Sequence, residues 1–383
     1  MPPEITIIST LPPIIGLSLY TQAFVSALSS LAKVDFLGFN HIYPAFLYPG
    51  KMRDESLPRP PEHDNLRIRN TLNWFNPFGW IYEAFRIKTK IIHAQWWSFP
   101  LAPIYIIVLG ISKIRHKKIV LTIHNVLPHE KNFLKILLNK SVFYLGDEYI
   151  VHTKKNCQDL RKIIKDKTIH VVPHGLIFPP LQDISKEKAR DILHIPRSDK
   201  ILLCFGHIRD YKGLDVAIKA LSLIKDPQVK LLVAGKCWED WQKYDNLITQ
   251  YNLSDRVYLK LDFISMPDIE PIFKASDLVL LPYKHFDAQS GVGAIGIPFE
   301  IPLIVSRTGG LQDYATDENC RINAGDFEDL AKKIEKILSD TELYRKIKAD
   351  VCSVKKQLRW DEIARKTVEI YENITRTHCP IND

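Results

Sequence analysis

The chain has 383 residues, of which 46% are hydrophobic and 25% charged, with 16 Gly and 24 Pro. This length calls for two medium domains at about 100–200 residues each, and the composition excludes wholesale disorder and collagen-like repeats. The net charge of +8 arises in the first half alone: residues 1–178 hold 22 Lys and Arg against 12 Asp and Glu, whereas residues 179–383 hold 30 against 32. Segregated positive charge suits nucleic acid, anionic lipid headgroups or phosphorylated substrates better than a uniformly solvated surface.

Short apolar, β-branched runs at 5–9, 34–38, 90–95, 119–124, 148–152 and 169–172 are predicted strands, and helix-length stretches such as 18–31 and 131–145 follow them. Their continuous apolar character fits a parallel sheet buried on both faces. The most apolar run, 99–111, has 13 residues; as a helix it spans roughly 20 Å against a hydrocarbon core of ~30 Å, too short to cross a bilayer. Residues 70–80, NTLNWFNPFGW, read as an aromatic loop.

Residues 176–199 contain three prolines and a short charged helix at 186–193, the pattern of a hinge. Beyond it the alternation resumes, with strands at 200–205, 229–234, 257–260, 278–281 and 303–305 and helices around 213–224, 238–251, 266–275 and 327–338. The expected fold is α/β, two Rossmann-like domains with parallel sheets facing across a cleft, since open α/β sheets bind ligands outside the carboxyl ends of their strands. The first domain is expected over 1–178 and the second over 179–359. Six scattered cysteines with no CxxC pair, and no secretory pattern after Met1, point to a reduced cytosolic compartment.

A set of motifs runs through both halves. Gly16 and Tyr20 follow the first strand, then come His93 to Trp97 (HAQWW), Thr122 to Glu130 (TIHNVLPHE) and Val172 to Gly175 (VPHG). The second half has Phe205 to Gly213 (FGHIRDYKG), Val233 to Lys236 (VAGK), Asp277 to Tyr283 (DLVLLPY), Gln289 to Val292 (QSGV) and Ser306 to Leu311 (SRTGGL). In order and spacing this set resembles the GT-B glycosyltransferases, most closely the family-4-like group that builds glycans from nucleotide-diphosphate sugars. The resemblance implies that a last helix, about 360–383, returns to complete the first domain.

A donor diphosphate needs fixed cations and amides. Arg209 and Lys212 lie in the loop after Gly206, placed either to face the ligand or to be solvated. The Gln289–Ser290–Gly291–Val292 loop has the small residues that let backbone N–H groups approach phosphate. Gly235 and Lys236 end a strand where the resembled family places the nucleotide base or ribose. That family commonly has two glutamates separated by seven residues. Alignment on Pro302 puts Asp287 and Ile295 at those positions, with Glu300 in register only after a backbone shift, so the stereochemical course does not carry over.

In the first domain, His124 ends a strand and is either a ligand of the transferred sugar or leaving phosphate or a turn histidine bonded to backbone. Glu130 is either a general base or a first-turn carboxylate complementing a helix dipole. Gly16 and Trp97 are candidates for the acceptor side, with a plain turn and core packing as their alternatives. There is no DxD pair and no His/Cys cluster at metal-ligand spacing, so no metal and no cofactor are expected beyond a UDP- or GDP-sugar donor.

The basic run 113–118, KIRHKK, and an amphipathic helix at 131–145 suggest contact with an anionic membrane surface. The resulting expectation is a hexosyl-type transferase acting on a glycan or polyprenol-linked acceptor at the cytoplasmic membrane face. Two alternatives share the fold: a nucleotide-sugar 2-epimerase, which needs carboxylates for proton transfer, and a non-catalytic nucleotide-sugar-binding subunit. No nucleic-acid-binding module is present.

Overall fold

The computed structural model describes residues 3–14, 17–44, 53–55, 57, 62–126, 133–176, 182–286 and 290–376. Two compact units divide the chain, residues 1–175 with 358–383, and residues 176–357.

The first unit holds seven strands: β1 (Glu4–Ile8), β2 (Lys33–His41), β3 (Leu66–Asn73), β4 (Ile91–Trp96), β5 (Lys118–Ile123), β6 (Glu148–Val151) and β7 (Thr168–Val171). They form one sheet in the order β3-β2-β1-β4-β5-β6-β7, every pair parallel. Its helices before the second unit are α1 (Ser18–Ser29), α2 (Pro77–Arg86), α3 (Ala102–Ile114), α4 (Phe133–Phe143) and α5 (Lys154–Arg161). Alternation along the strands sends side chains to two cores. Ile8, Ala94 and Leu121 pack with Trp80, Ile104, Tyr105 and Phe143 on the α2–α4 side. Ile5, Ile7 and Val120 pack with Tyr20 and Phe24 of α1 on the other.

The predicted loop at 70–80 is instead the end of β3 and the start of α2. β3 is an edge strand whose side chains are mostly exposed or half-buried, so it lacks the apolar run that marks the inner strands. Pro77 opens α2 and the Asn76 side chain caps it, accepting from Gly79 N at 3.0 Å. Arg69 of β3 ties the two together, donating to Asp35 Oδ2 of β2 at 2.6 Å and pairing with the buried Glu83 of α2.

The second unit carries β8 (Lys200–Phe205), β9 (Val229–Ala234), β10 (Val257–Lys260), β11 (Leu278–Leu281), β12 (Leu303–Ser306) and β13 (Arg321–Ile322). Their order is β10-β9-β8-β11-β12-β13, again all parallel. Its helices are α6 (Lys186–Leu193), α7 (Leu214–Leu223), α8 (Gln242–Gln250), α9 (Met266–Lys274), α10 (Gly291–Gly296), α11 (Phe327–Ser339) and α12 (Thr341–Gln357). The chain then returns to the first unit as α13 (Trp360–Arg376), whose Ile363, Ile370, Tyr371 and Ile374 join the α1-side core.

Strand order reverses between β1 and β4 in the first sheet and between β8 and β11 in the second. Such reversals open a crevice at the carboxyl edge of a parallel sheet. Among the described residues no helix is long and apolar enough to cross a membrane.

Candidate functional site

At the β8/β11 reversal the loops following β8, β9, β10 and β11 enclose a pocket of about 330 Å³. Its lining includes Gly206, Lys212, Gly235, Lys236, Ser290, Gly291 and Val292, with aromatic walls from Tyr211, Tyr283, Phe286 and the 74% exposed Phe263. The floor is backbone against backbone. Gly235 has φ +145, and a Cβ there would lie 2.3 Å from Gly206 O, so any side chain would force β8 and β9 apart at the pocket.

Ser290 is buried and its hydroxyl is already committed. Its Oγ accepts from Gly293 N at 3.3 Å as the N-cap of α10 and lies 3.2 Å from the Tyr283 hydroxyl. Tyr314 OH donates to Ser290 O at 3.1 Å from the other side. The first intrahelical bond runs from Ala294 N to Ser290 O. The amides of Gly291 and Val292 precede it, and first-turn N–H groups are the ones a helix leaves open to an anion. Among the described residues no atom lies within 4 Å of a would-be Cβ on Gly291, so they leave its face of the loop open.

The Lys212 ammonium stands 5.9 Å from the Tyr283 ring centroid and pairs with no carboxylate among the described residues. Burial, followed by the charge of Arg209, pulls its pKa down to about 8. A half-buried cation with no described counter-ion beside open amides is suited to an anion. Arg209 does not line this pocket: its exposed guanidinium sits 4.6 Å over the Trp238 ring. Ile295 lines the pocket, whereas Glu300, in a left-handed turn, is held by Lys355 of α12 at 2.9 Å. Gln289 and Asp287 lie outside the described residues.

In the first unit, β5, β6 and β7 are neighbours in the sheet, and a histidine follows each of them. His152 Nδ1 lies 2.9 Å from Val172 O and must donate to it, because a carbonyl only accepts. In a neutral ring this leaves Nε2 as acceptor for His124 Nδ1–H, 3.1 Å away. His124 Nε2 is then an unprotonated, buried nitrogen with no partner among the described residues. Burial holds His152 down to about 3 and His124 well below the usual histidine range, the neighbouring histidines adding to the effect on His124. The Tyr20 ring packs on His124, His152 and His174, with centroids 4.8, 5.5 and 4.6 Å away.

At the β1/β4 reversal, Gln95 Oε1 accepts from Ser9 Oγ at 3.0 Å and Thr21 Oγ1 at 2.9 Å, leaving its buried amide nitrogen unpaired among the described residues. Trp97 is half-buried against the α2–α4 core, 6.4 Å from Phe39, while Trp96 is fully inside it. Gly16 and Glu130 lie outside the described residues. Phe263, Tyr211, Phe286 and His152 escaped the sequence reading. Their positions just past strand ends were the available signal.

Residues 185–351 match the family "Glycosyl transferases group 1". Among curated proteins, the chain is 22% identical over 255 residues to the D-inositol 3-phosphate glycosyltransferase of Xylanimonas cellulosilytica, covering 63% of this chain and 60% of that one. It is 22% identical over 232 residues to the phosphatidylinositol N-acetylglucosaminyltransferase gpi3 subunit of Schizosaccharomyces pombe, covering 59% of this chain and 48% of that subunit. The chain thus spans about half to three-fifths of the curated relatives it matches. Among solved structures, HepE from Anabaena in complex with UDP has a TM-score of 0.68 at 15% identity, over 97% of this chain and 100% of that one. Sucrose-phosphate synthase from Thermosynechococcus elongatus has a TM-score of 0.66 at 19% identity, over 98% and 100%. The two parallel sheets are therefore those of the GT-B fold, and the part of the second unit at residues 185–351 is similar to the group 1 glycosyltransferases.

Proposed function

We propose that the protein transfers a hexosyl group from a UDP- or GDP-sugar to a glycan or lipid-linked acceptor at the cytoplasmic membrane face. The observation that carries this reading is the Lys212 ammonium, without a carboxylate partner among the described residues, beside the amides of Gly291 and Val292 in an aromatic-walled pocket at the β8/β11 reversal. The dimensions and chemistry suit a nucleoside diphosphate: amides and ammonium toward the diphosphate, Phe263 and Gly235 toward the nucleoside. Lys212 then neutralises charge that grows on the leaving diphosphate, an interaction stronger in the transition state than in the ground state. On the first domain, His124 Nε2 is the proposed acceptor of a substrate hydroxyl hydrogen bond.

Lys212, Lys236 and the loop amides hold the donor without a divalent cation in this reading, so EDTA should leave turnover unchanged. A thermal-shift panel of UDP, GDP and their sugars tests the donor assignment, because ligand binding to the folded state raises its apparent stability by mass action. A melting temperature unmoved by every member of the panel would overturn it. Nucleoside diphosphate release that depends on added acceptor separates transfer from a binding-only subunit.

A further inference from the structure

Helix α2 has two unlike faces. Trp80, Glu83 and Ala84 point into the first domain, whereas Phe78, Ile81, Tyr82 and Phe85 face solvent, with Phe75 just ahead of them. Phe78 is 84% exposed, and Ile114, where α3 ends beside α2, is 78% exposed. Positions 75, 78, 82 and 85 recur at helical spacing, so the aromatic rings form one stripe and not scattered single residues. A contiguous exposed apolar patch with a polar rim marks an interaction surface.

The rim is cationic. Residues 75–90 and 113–118 contain seven Lys or Arg and one carboxylate, Glu83, which is buried and paired with Arg69 and Arg86. The Arg86 guanidinium lies 5.3 Å over the Tyr82 ring and that of Arg115 5.6 Å over Phe85. Arg115 Nη1 also donates to Ala84 O at 2.8 Å and Phe85 O at 3.1 Å, and Lys117 Nζ to Lys88 O at 2.9 Å. The basic run at 113–118 thus braces the end of α2 and fixes positive charge around its rings. Partial burial and then the charges of Arg115 and Lys90 hold Lys117 below the usual lysine range, a sign of how closely the cations are grouped.

We propose that α2 is a membrane-docking helix, with Phe78, Tyr82 and Phe85 entering the headgroup layer of an anionic phospholipid bilayer while Arg86, Lys88 and Lys117 meet its phosphates. Amphipathic aromatic side chains and flanking cations are the two elements an interfacial helix needs. A second copy of the chain fits less well, since a self-complementary contact would bring one basic rim against another. The proposal deepens the membrane-face reading and rests on it, but is independent of the donor pocket.

The test uses the full chain and co-sedimentation with vesicles of phosphatidylcholine alone or mixed in equal parts with phosphatidylglycerol. Wild type is expected to bind the mixed vesicles and not the neutral ones. The exposed pair Phe78→Ser with Phe85→Ser is expected to lower the bound fraction about tenfold while leaving melting and UDP binding unchanged, because binding scales with buried apolar area. Substitution of Arg115 or Lys117 is avoided, since it would also loosen α2. Wild-type binding that persists in the double variant removes this surface alone; no wild-type binding removes the membrane-face reading with it. Self-association of wild type that the double variant abolishes, with vesicles unbound throughout, assigns the stripe to a second copy and overturns the proposal.

Discussion

His152 Nε2 lies 3.1 Å from His124 Nδ1, and the direction of the proton between them is decided at a third point, the Val172 carbonyl. That carbonyl fixes the His152 tautomer, which fixes that of His124, which leaves His124 Nε2 bare. In the proposed reaction His152 is therefore a positioning residue. Its replacement by Ala frees His124 to carry its proton on either nitrogen. The expected cost is about tenfold in kcat, ~1.4 kcal/mol, with the donor KM unchanged. His152→Gln, able to accept from His124, should recover part of the loss. A full-rate His152→Ala enzyme would show that the tautomer of His124 is irrelevant to turnover.

The same burial makes the first domain acid-sensitive. His93, His124, His152 and His174 are all held below the ordinary histidine value, burial being the largest cause in each. Below pH ~6.5 the unfolded chain takes up protons that the folded chain refuses, so stability present above that pH is lost as pH falls toward the folded values, about 3 for His93 and His152. Inside that window His93 and His152 each contribute about 1.4 kcal/mol per pH unit. His93 bonds the hydroxyls of Tyr371 and Thr122, both of which a glutamine can satisfy. The pH slope of unfolding free energy counts the protons gained on unfolding, so it should be shallower in His93→Gln by about a quarter of a proton at pH 7 and by nearly one at pH 5, as read by denaturant titration. An unaltered slope would mean that His93 is protonated in the folded protein.

The inner strands were legible because they carry mostly apolar, β-branched runs, as in the Lys118–Ile123 stretch that becomes β5. β3 was not legible: at the sheet edge it buries little beyond Leu72, so its residues carry no two-sided pattern. α2 was hidden for a related reason, since its exposed face is as aromatic as its buried one and shows no polar stripe. Lys212 was visible from its place between a strand-ending turn and a helix. The histidine pair was not, because His124 and His152 are separated by a complete crossover and meet only once β5 and β6 are known to be adjacent. The Ser290 hydroxyl could be located, but its commitment to Gly293 and Tyr283 is a tertiary fact.

In the proposed donor site, Lys212 makes binding depend on pH. Its pKa, pulled down to about 8 by burial and then by Arg209, leaves the ammonium present at neutral pH and lost above it. If only the charged form holds the diphosphate, UDP should bind about tenfold more weakly at pH 9 than at pH 7. Titration calorimetry near pH 8 in buffers of different ionisation enthalpy should reveal proton uptake on binding. Lys212→Ala should erase the pH slope and lose ~2–4 kcal/mol of transition-state stabilisation. Arg209→Ala should move the midpoint upward, since it removes a neighbouring positive charge. Turnover within about threefold of wild type in Lys212→Ala, less than ~1 kcal/mol, would sink the assignment.

Helix α13 is the part of the first domain made last and from farthest away in sequence. Ile363, Ala364, Ile370, Tyr371 and Ile374 are all buried in the core that α1 shares, and Tyr371 bonds His93 from β4. At ~1.5–3 kcal/mol for each large apolar side chain, their loss rivals the ~5–15 kcal/mol that holds a typical domain together. A chain ending before Trp360 should therefore be insoluble or melt in two steps, the first-domain transition falling far below that of the second. A milder probe of the same contact is Gly175, where a Cβ would lie 2.3 Å from the Trp360 ring. Gly175→Ala must push α13 away from its seat, at an expected cost of ~1–3 kcal/mol in the first transition and none in the second. Trp360→Ala alone also costs stability, but in combination with Gly175→Ala it should remove the clash, so the two effects are expected to fall short of additive. Strict additivity, or a truncated chain that melts as wild type does, would show that α13 contributes nothing to the first core.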